Sequence, residues 1–172
     1  TFLKDKNNPK AKPLKSLISY ARNLQCSVAE VARERYGDSL PGLASRVEEF
    51  SAAYRQIKLD RGLADFDDLL EFWLEVLQRN EEAATYYQER FKHVLVDEYQ
   101  DVNRLQASII DKIANRGQVM AVGDDAQCIY TWRGADLDQI LGFPKRYPEA
   151  KVYKIETNYR SSPEILELAN GI

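Results

Sequence analysis

The chain has 172 residues, 44% of them apolar, with 24 Lys and Arg against 27 Asp and Glu and a formal net charge of −3. That is enough to bury a sizeable core, and it excludes a disordered, collagenous or polycationic chain, so any grip on nucleic acid must be local. The two cysteines, Cys26 and Cys128, stand far apart and outside any CxxC spacing, which excludes a disulfide framework and a thiolate zinc site. No apolar run approaches the roughly 20 residues of a membrane span and no signal-peptide layout opens the chain, so a cytosolic (cytoplasmic), reducing setting is expected.

The chain begins at Thr1 without a methionine, and Gly171 and Ile172 fall just inside an apparent helix, which reads as a piece of a longer protein. The first stretch, with Lys4, Lys6, Lys10, Lys12 and Lys15 interrupted by Pro9 and Pro13, reads as a loop or linker. From Leu14 to about Leu77 apolar residues recur at helical spacing, and Leu43, Val47, Phe50, Tyr54 and Ile57 are expected to form one buried stripe. Gly37 and the Pro41-Gly42 pair mark turns between helices. Residues 82–90 form a further short helical segment.

The period then changes. Val94, Leu95 and Val96 form a continuous aliphatic run ending in Asp97 and Glu98, as expected of a buried parallel strand at its functional edge. A second run, Val119-Met120-Ala121-Val122, ends in Gly123-Asp124-Asp125. Between them Val102, Leu105, Ile109, Ile110 and Ile113 describe an amphipathic helix, so a right-handed crossover is expected. A third strand is expected at residues 151–155, leading into Asn158-Tyr159-Arg160, with Ser162 capping a helix that has Pro163 in its first turn.

Ligands of open α/β sheets sit outside the carboxyl ends of the strands, so the polar residues released by all three strands are expected to converge. An aspartate fixed at a strand tip is a hard-oxygen partner for Mg²⁺, and a neighbouring glutamate can orient a water and accept its proton in phosphoryl transfer. Asp97 and Glu98 offer those two functions, although a strand ending in two acids is also an ordinary surface feature. Beyond the second strand, Tyr130, Trp132 and Arg133 alternate aromatic and basic character, suited to stacking on bases and holding a phosphate. The alternative is that Tyr130 and Trp132 merely cap the sheet edge.

Taken together, these segments resemble the motifs of the superfamily 1 helicases of the UvrD/PcrA/Rep type. VLVDEYQD at 94–101 is similar to motif II, VGDDAQCIYTWRGAD at 122–136 to motif III and ETNYRS at 156–161 to motif IV, with the DFDDLL segment at 65–70 ahead of them. The resemblance implies an α/β fold: a partial RecA-like parallel sheet at 65–172, of P-loop NTPase type, behind part of a helical insert subdomain at 1–64. It implies an ATP-dependent DNA helicase or translocase moving 3′ to 5′ on single-stranded DNA or single-strand/double-strand junctions, working in repair, replication or recombination with the remaining motor domains of a longer parent.

Carried over position by position, the resemblance makes Asp97 the Mg²⁺ ligand, Glu98 the activator of the hydrolytic water and Gln127 the sensor of the ATP γ-phosphate. Tyr130, Trp132 and Arg133 would face single-stranded DNA, Arg160 would act as an arginine finger, Tyr159 would stack on adenine, and Phe66 would line a base pocket. Gln100 and Asp101 would link the nucleotide and DNA sites. Cys128, where relatives often carry serine, reads as a small buried residue rather than as a thiol paired with His93, the only histidine.

One departure is large. No GxxxxGK[ST] loop occurs in the 172 residues. Gly37 and Gly42 have the glycine spacing, but Leu43 and Ala44 follow in place of Lys and Ser/Thr and the flanks read as helical. In the family that loop precedes the helical insert, upstream of Thr1, and the chain alone is therefore expected to be inactive. Two other readings stand beside this one: a non-catalytic nucleic-acid-binding module with a degenerate helicase fold, and a metal-dependent nuclease using Asp97, Asp101, Asp124 and Asp125.

Overall fold

The computed structural model describes residues 9–37, 42–114, 118–129 and 137–171. Three helices come first: α1 (Ala11–Asn23), α2 (Val28–Tyr36) and α3 (Leu43–Asp60). Leu14, Leu17, Ile18 and Ala21 of α1 bury against Val28, Val31 and Ala32 of α2 and Leu43 and Val47 of α3. Helix α1 starts inside the stretch expected to be a linker. Pro13 is tolerated there because the first turn of a helix has no intrahelical acceptor for its backbone N–H groups.

Ser27 caps α2 through a reciprocal box with Glu30, and Gly37 and Gly42, at φ 56° and 70°, take the positive angles that glycine adopts without a side-chain clash. Both glycines border helices, so the decoy spacing is not a phosphate loop. The stripe on α3 is buried only at its start. Leu43 and Val47 are buried, whereas Ile57 is exposed, because the last turns of α3 turn Lys58 inward instead.

Helices α4 (Phe66–Arg79) and α5 (Glu81–Arg90) follow, then strand β1 (Val94–Val96), helix α6 (Arg104–Ile113) and strand β2 (Val119–Ala121). The strands pair in parallel, with Val94 opposite Val119, Leu95 opposite Met120 and Val96 opposite Ala121. Leu105 and Ile109 of α6 pack on Leu74 and Leu77 of α4. Val96 and Ala121 point the other way from Leu95 and Met120 and meet Tyr99, Val102, Ile140 and Phe143, supplied in part by α7 (Leu137–Leu141) and α8 (Phe143–Arg146).

Two expectations about the sheet need correction. The strands are not buried on both faces: Leu95 is 71% and Met120 56% exposed, so only the Val96/Ala121 face is covered. Residues 151–155 form no strand, and Val152, Tyr153 and Ile155 are exposed. The sheet of the described residues holds β1 and β2 alone, and an extended segment that pairs with neither edge has no layer to cover its side chains. Helix α9 (Pro163–Asn170) begins after Ser162 with Pro163 at its first position, as expected, although the Ser162 side chain makes no capping hydrogen bond to the backbone. Among the described residues, no helix is long and apolar enough to cross a membrane.

The DFDDLL segment at 65–70 is an ionic latch. Asp65 and Asp68 cap α4 reciprocally, each carboxylate accepting the other's backbone N–H at 2.9 and 2.7 Å. The same two carboxylates receive the Lys58 ammonium of α3 at 2.7 and 2.5 Å. From α1, Arg22 donates to Asp68 at 2.6 Å, to Asp65 at 3.1 Å and, through two nitrogens, to both oxygens of Glu71 at 2.8 Å. Two helices, α1 and α3, are thereby tied to the first turns of α4. Asn23 extends the tie by accepting from Asn103 Nδ2, the N-cap residue of α6, at 3.0 Å.

Candidate functional site at the two strand tips

Strand β1 ends at Val96 and β2 at Ala121, and their continuations are tied to each other. Val122 N–H donates to Val96 O at 2.8 Å and Tyr99 N–H to Val122 O at 2.9 Å. The polar residues after each strand therefore emerge side by side. Tyr99, fully buried, anchors the first tip: its ring meets Phe143 edge-on and its hydroxyl accepts from Arg146 at 3.0 Å.

Between Val96 and Tyr99 the chain exposes Asp97 and Glu98. Glu98 adopts φ 51° and ψ 43°, a left-handed conformation uncommon for a residue with a side chain, and its N–H is held by Asp97 Oδ1 at 2.9 Å. Such outliers collect where a side chain must be aimed. Asp97 and Glu98 thus stand exposed on one tight turn.

Gln100 joins this turn to the second tip. It is 1% exposed. Its Nε2 donates to Glu98 Oε2 at 2.6 Å, its Oε1 accepts from Asp124 N–H at 3.0 Å, and its backbone carbonyl accepts from the Cys128 thiol at 3.3 Å. Asp124 in turn accepts from Ala126 N–H at 3.0 Å and from Gln127 Nε2 at 2.8 Å. A continuous hydrogen-bonded path therefore runs Glu98, Gln100, Asp124, Gln127. Asp101, in the same turn, keeps one carboxylate oxygen buried without a hydrogen-bond partner.

Residues 2–148 match the UvrD/REP helicase N-terminal domain. The chain belongs to that family. Among similar proteins are the ATP-dependent DNA helicases PcrA of Bacillus subtilis strain 168, 42% identical over 127 residues, and of Staphylococcus epidermidis, 44% identical over 119 residues. PcrA of Staphylococcus aureus strain Mu50 is 42% identical over 124 residues. These alignments cover 73%, 69% and 72% of this chain but 17%, 16% and 17% of the relatives, so the chain spans a small part of their length.

Of the residues the sequence singles out in this UvrD/REP domain, Asp97, Glu98, Gln100 and Gln127 are gathered at the two tips. Tyr159 and Arg160 are not joined to them, contrary to the expected convergence of three tips, and both lie beyond the matched residues. Asn158 Oδ1 holds the N–H groups of Arg160 and Ser161 at 2.8 and 3.0 Å, while Tyr159 is 91% exposed. Phe66, the first residue of α4, is 88% exposed and faces solvent. Tyr130, Trp132 and Arg133 lie outside the described residues.

Cys128 is half-buried against Gln100, whereas His93 precedes β1 at the opposite end of the sheet, so the two do not form a dyad. Among the described residues, Asp97, Asp101, Asp124 and Asp125 do not gather into a group of three or more metal-ligating side chains. The exposed Asp97 is nevertheless a chemically suitable partner for Mg²⁺, which commonly takes one or two carboxylates and fills its remaining positions with water and phosphate oxygens.

Sequence reasoning missed Arg22 and Lys58, whose partners lie 43 to 49 and 7 to 10 positions away. No local pattern announces such pairs. It also missed the steric demand at Gly123, for which a glycine directly after an apolar strand was the available signal.

Proposed function

We propose that the chain is the part of an ATP-dependent DNA helicase that carries its hydrolytic acids and their link to the DNA-gripping segment. The observation that carries this reading is the path from Glu98 through Gln100 and Asp124 to Gln127, which physically couples the ends of two parallel strands. Family membership and the PcrA relatives support ATP as the fuel and DNA as the track. In this reading residues 65–172 are part of a RecA-like core and residues 1–64 part of a helical insert. The parent moves 3′ to 5′ on single-stranded DNA in the cytoplasm, in repair, replication or recombination.

Asp97 would hold Mg²⁺, which when bound supplies charge neutralisation on the phosphates. Glu98 accepts a proton from the attacking water as its oxygen bonds to the γ-phosphorus and ADP departs. Gln127 reports the γ-phosphate. Tyr130, Trp132 and Arg133 grip the strand, with Phe66 beside a base, and Arg160 and Tyr159 approach the γ-phosphate and adenine. The chain alone, without a phosphate-binding loop, does not turn over ATP.

The test is Glu98→Gln in the full-length protein that carries this chain. ATP binding persists and hydrolysis falls by about a hundredfold or more, as for loss of a general base. Undiminished turnover removes Glu98 from this role.

A further inference from the structure

Arg22 and Lys58 stand on a boundary. The apolar side chains of α1, α2 and α3 cluster among themselves, and those from α4 onward form two clusters of their own; among the described residues no hydrophobic cluster has members from both sets. The two sets are joined by hydrogen bonds and ion pairs. Besides the latch and the bond between Asn103 and Asn23, the Tyr54 hydroxyl donates to Asp65 at 3.2 Å and Ser108 of α6 donates to Gln25 Oε1 at 2.8 Å. Packing at the boundary is open. A cavity of about 260 Å³ separates Gln25 and Cys26 from Leu74 and Gln78 of α4 and Leu105 of α6, and a second of about 80 Å³ lies among Ile18, Tyr54 and Glu71. Residues 61–64 carry the chain across, with Gly62 at φ 63° and no atom within 4 Å of where a β-carbon would stand.

Two bodies that share an apolar core separate only by exposing it, at a cost that grows with the apolar area uncovered. Two that meet through polar groups and open gaps exchange those contacts for water at a far smaller net cost, and relative motion is then the ordinary outcome. From this boundary we infer that α1–α3 form a rigid jaw that swings on the α/β unit about residues 61–64, with Arg22 as the clasp of its closed position. The Arg22 guanidinium reaches three carboxylates of the α4 start, Asp65, Asp68 and Glu71, where Lys58 reaches two. Arg22 also lines the larger cavity, so its release frees α1 and widens that gap while the apolar clusters on both sides stay intact. Cys26, half-buried at the edge of the first cluster and facing the cavity, is uncovered as the jaw opens. The motion is independent of the role proposed for Glu98.

The experiment uses the full-length protein carrying this chain, the parent beside Arg22→Gln, at one fixed pH. Reaction of Cys26 with iodoacetamide is followed by mass spectrometry of its peptide, and amide hydrogen exchange is followed across α2 and α6 in the same samples. In Arg22→Gln the labelling rate rises about tenfold, the shift in opening that loss of a charge-assisted hydrogen bond produces, while amide protection in α2 and α6 stays at the parent level. Loss of a cation lining the cavity disfavours the thiolate, so a faster reaction reports access and not a more reactive thiol. In the parent, labelling rises severalfold between about 0.1 and 1 M salt, over which the screening length shrinks from about 10 to about 3 Å.

An unchanged labelling rate in folded Arg22→Gln overturns the inference, because no jaw is then held by that clasp. A faster rate matched by an equal loss of amide protection in α2 or α6 also overturns it, since the cavity then opens by unfolding and not by a swing. If Arg22→Gln does not fold, the salt series on the parent decides by the same two readings.

Discussion

Gly123 and Gln100 approach so closely that a β-carbon on the glycine would stand 2.5 Å from the glutamine side-chain oxygen. It would also meet Ile140 at 2.9 Å and the backbone nitrogen of Tyr99 at 3.1 Å. The glutamine cannot swing away without releasing Asp124 N–H, and the backbone of Tyr99 cannot yield. In the full-length protein that carries this chain, Gly123→Ala is therefore expected to destabilise by about 1–3 kcal/mol, as overpacking does, and, with Glu98 in its proposed role, to lower hydrolysis beyond what the unfolded fraction explains. Denaturant melts and ATPase rates on the same preparation check both parts.

The Lys58 ammonium lies between Asp65 and Asp68 with little access to solvent. Lys58→Met leaves those carboxylates with Arg22 as their one remaining cationic partner among the described residues. Removing one member of a buried ionic group costs about 3–5 kcal/mol, and the unfolding midpoint in urea is expected to fall accordingly. An unchanged midpoint would mean that Arg22 alone carries the latch.

The latch also sets a pH dependence. Burial pushes the Asp65 and Asp68 carboxyls up, but Lys58, the capping N–H groups and Arg22 outweigh it and hold both below the usual carboxylate range. Their contribution to stability is complete above the unfolded value of about 3.9 and is lost as pH falls through the depressed folded values. Lys58 runs the other way: burial lowers it, the two aspartates outweigh that, and its raised value gives a contribution present below about pH 10.4 and lost at higher pH. Unfolding free energy measured against pH should be flat between those limits with respect to these groups. In Asp68→Asn the acid slope should be shallower; an identical slope would remove Asp68 from the titration.

On the proposed DNA-binding role of Trp132, Trp132→Ala in the full-length protein is expected to weaken single-strand binding by about 1–3 kcal/mol per lost stack while ATP binding is retained. Fluorescence anisotropy of a labelled oligonucleotide reads the first, and a nucleotide-binding titration the second. Unchanged DNA affinity makes Trp132 structural.

The two strands were readable because a short continuous aliphatic run bounded by polar residues is the pattern of a strand packed against a core. How many faces were covered was not readable. A continuous run looks the same whether one layer or two pack on it, and Leu95 and Met120 turned out open. Residues 151–155 have the composition of a strand, yet pairing is decided by what lies alongside. The stripe on α3 was legible through Val47 and failed at Ile57, because Lys58 finds its partners across a turn that periodicity does not encode. At the candidate site Asp97, Glu98 and Gln127 stood out as polar residues after strands. The bridging geometry of Gln100 depends on the second tip lying within hydrogen-bond reach, which only the folded sheet provides.

With Glu98 in its proposed role, its left-handed backbone sets stability and activity against each other at a single position. A glycine there would relieve a conformational cost of order 1–3 kcal/mol and leave a sturdier full-length protein without its proposed water-activating acid. Screens that reward thermal robustness alone would drift towards that substitution, whereas glutamine inherits the same awkward torsion and leaves the comparison with the parent free of it.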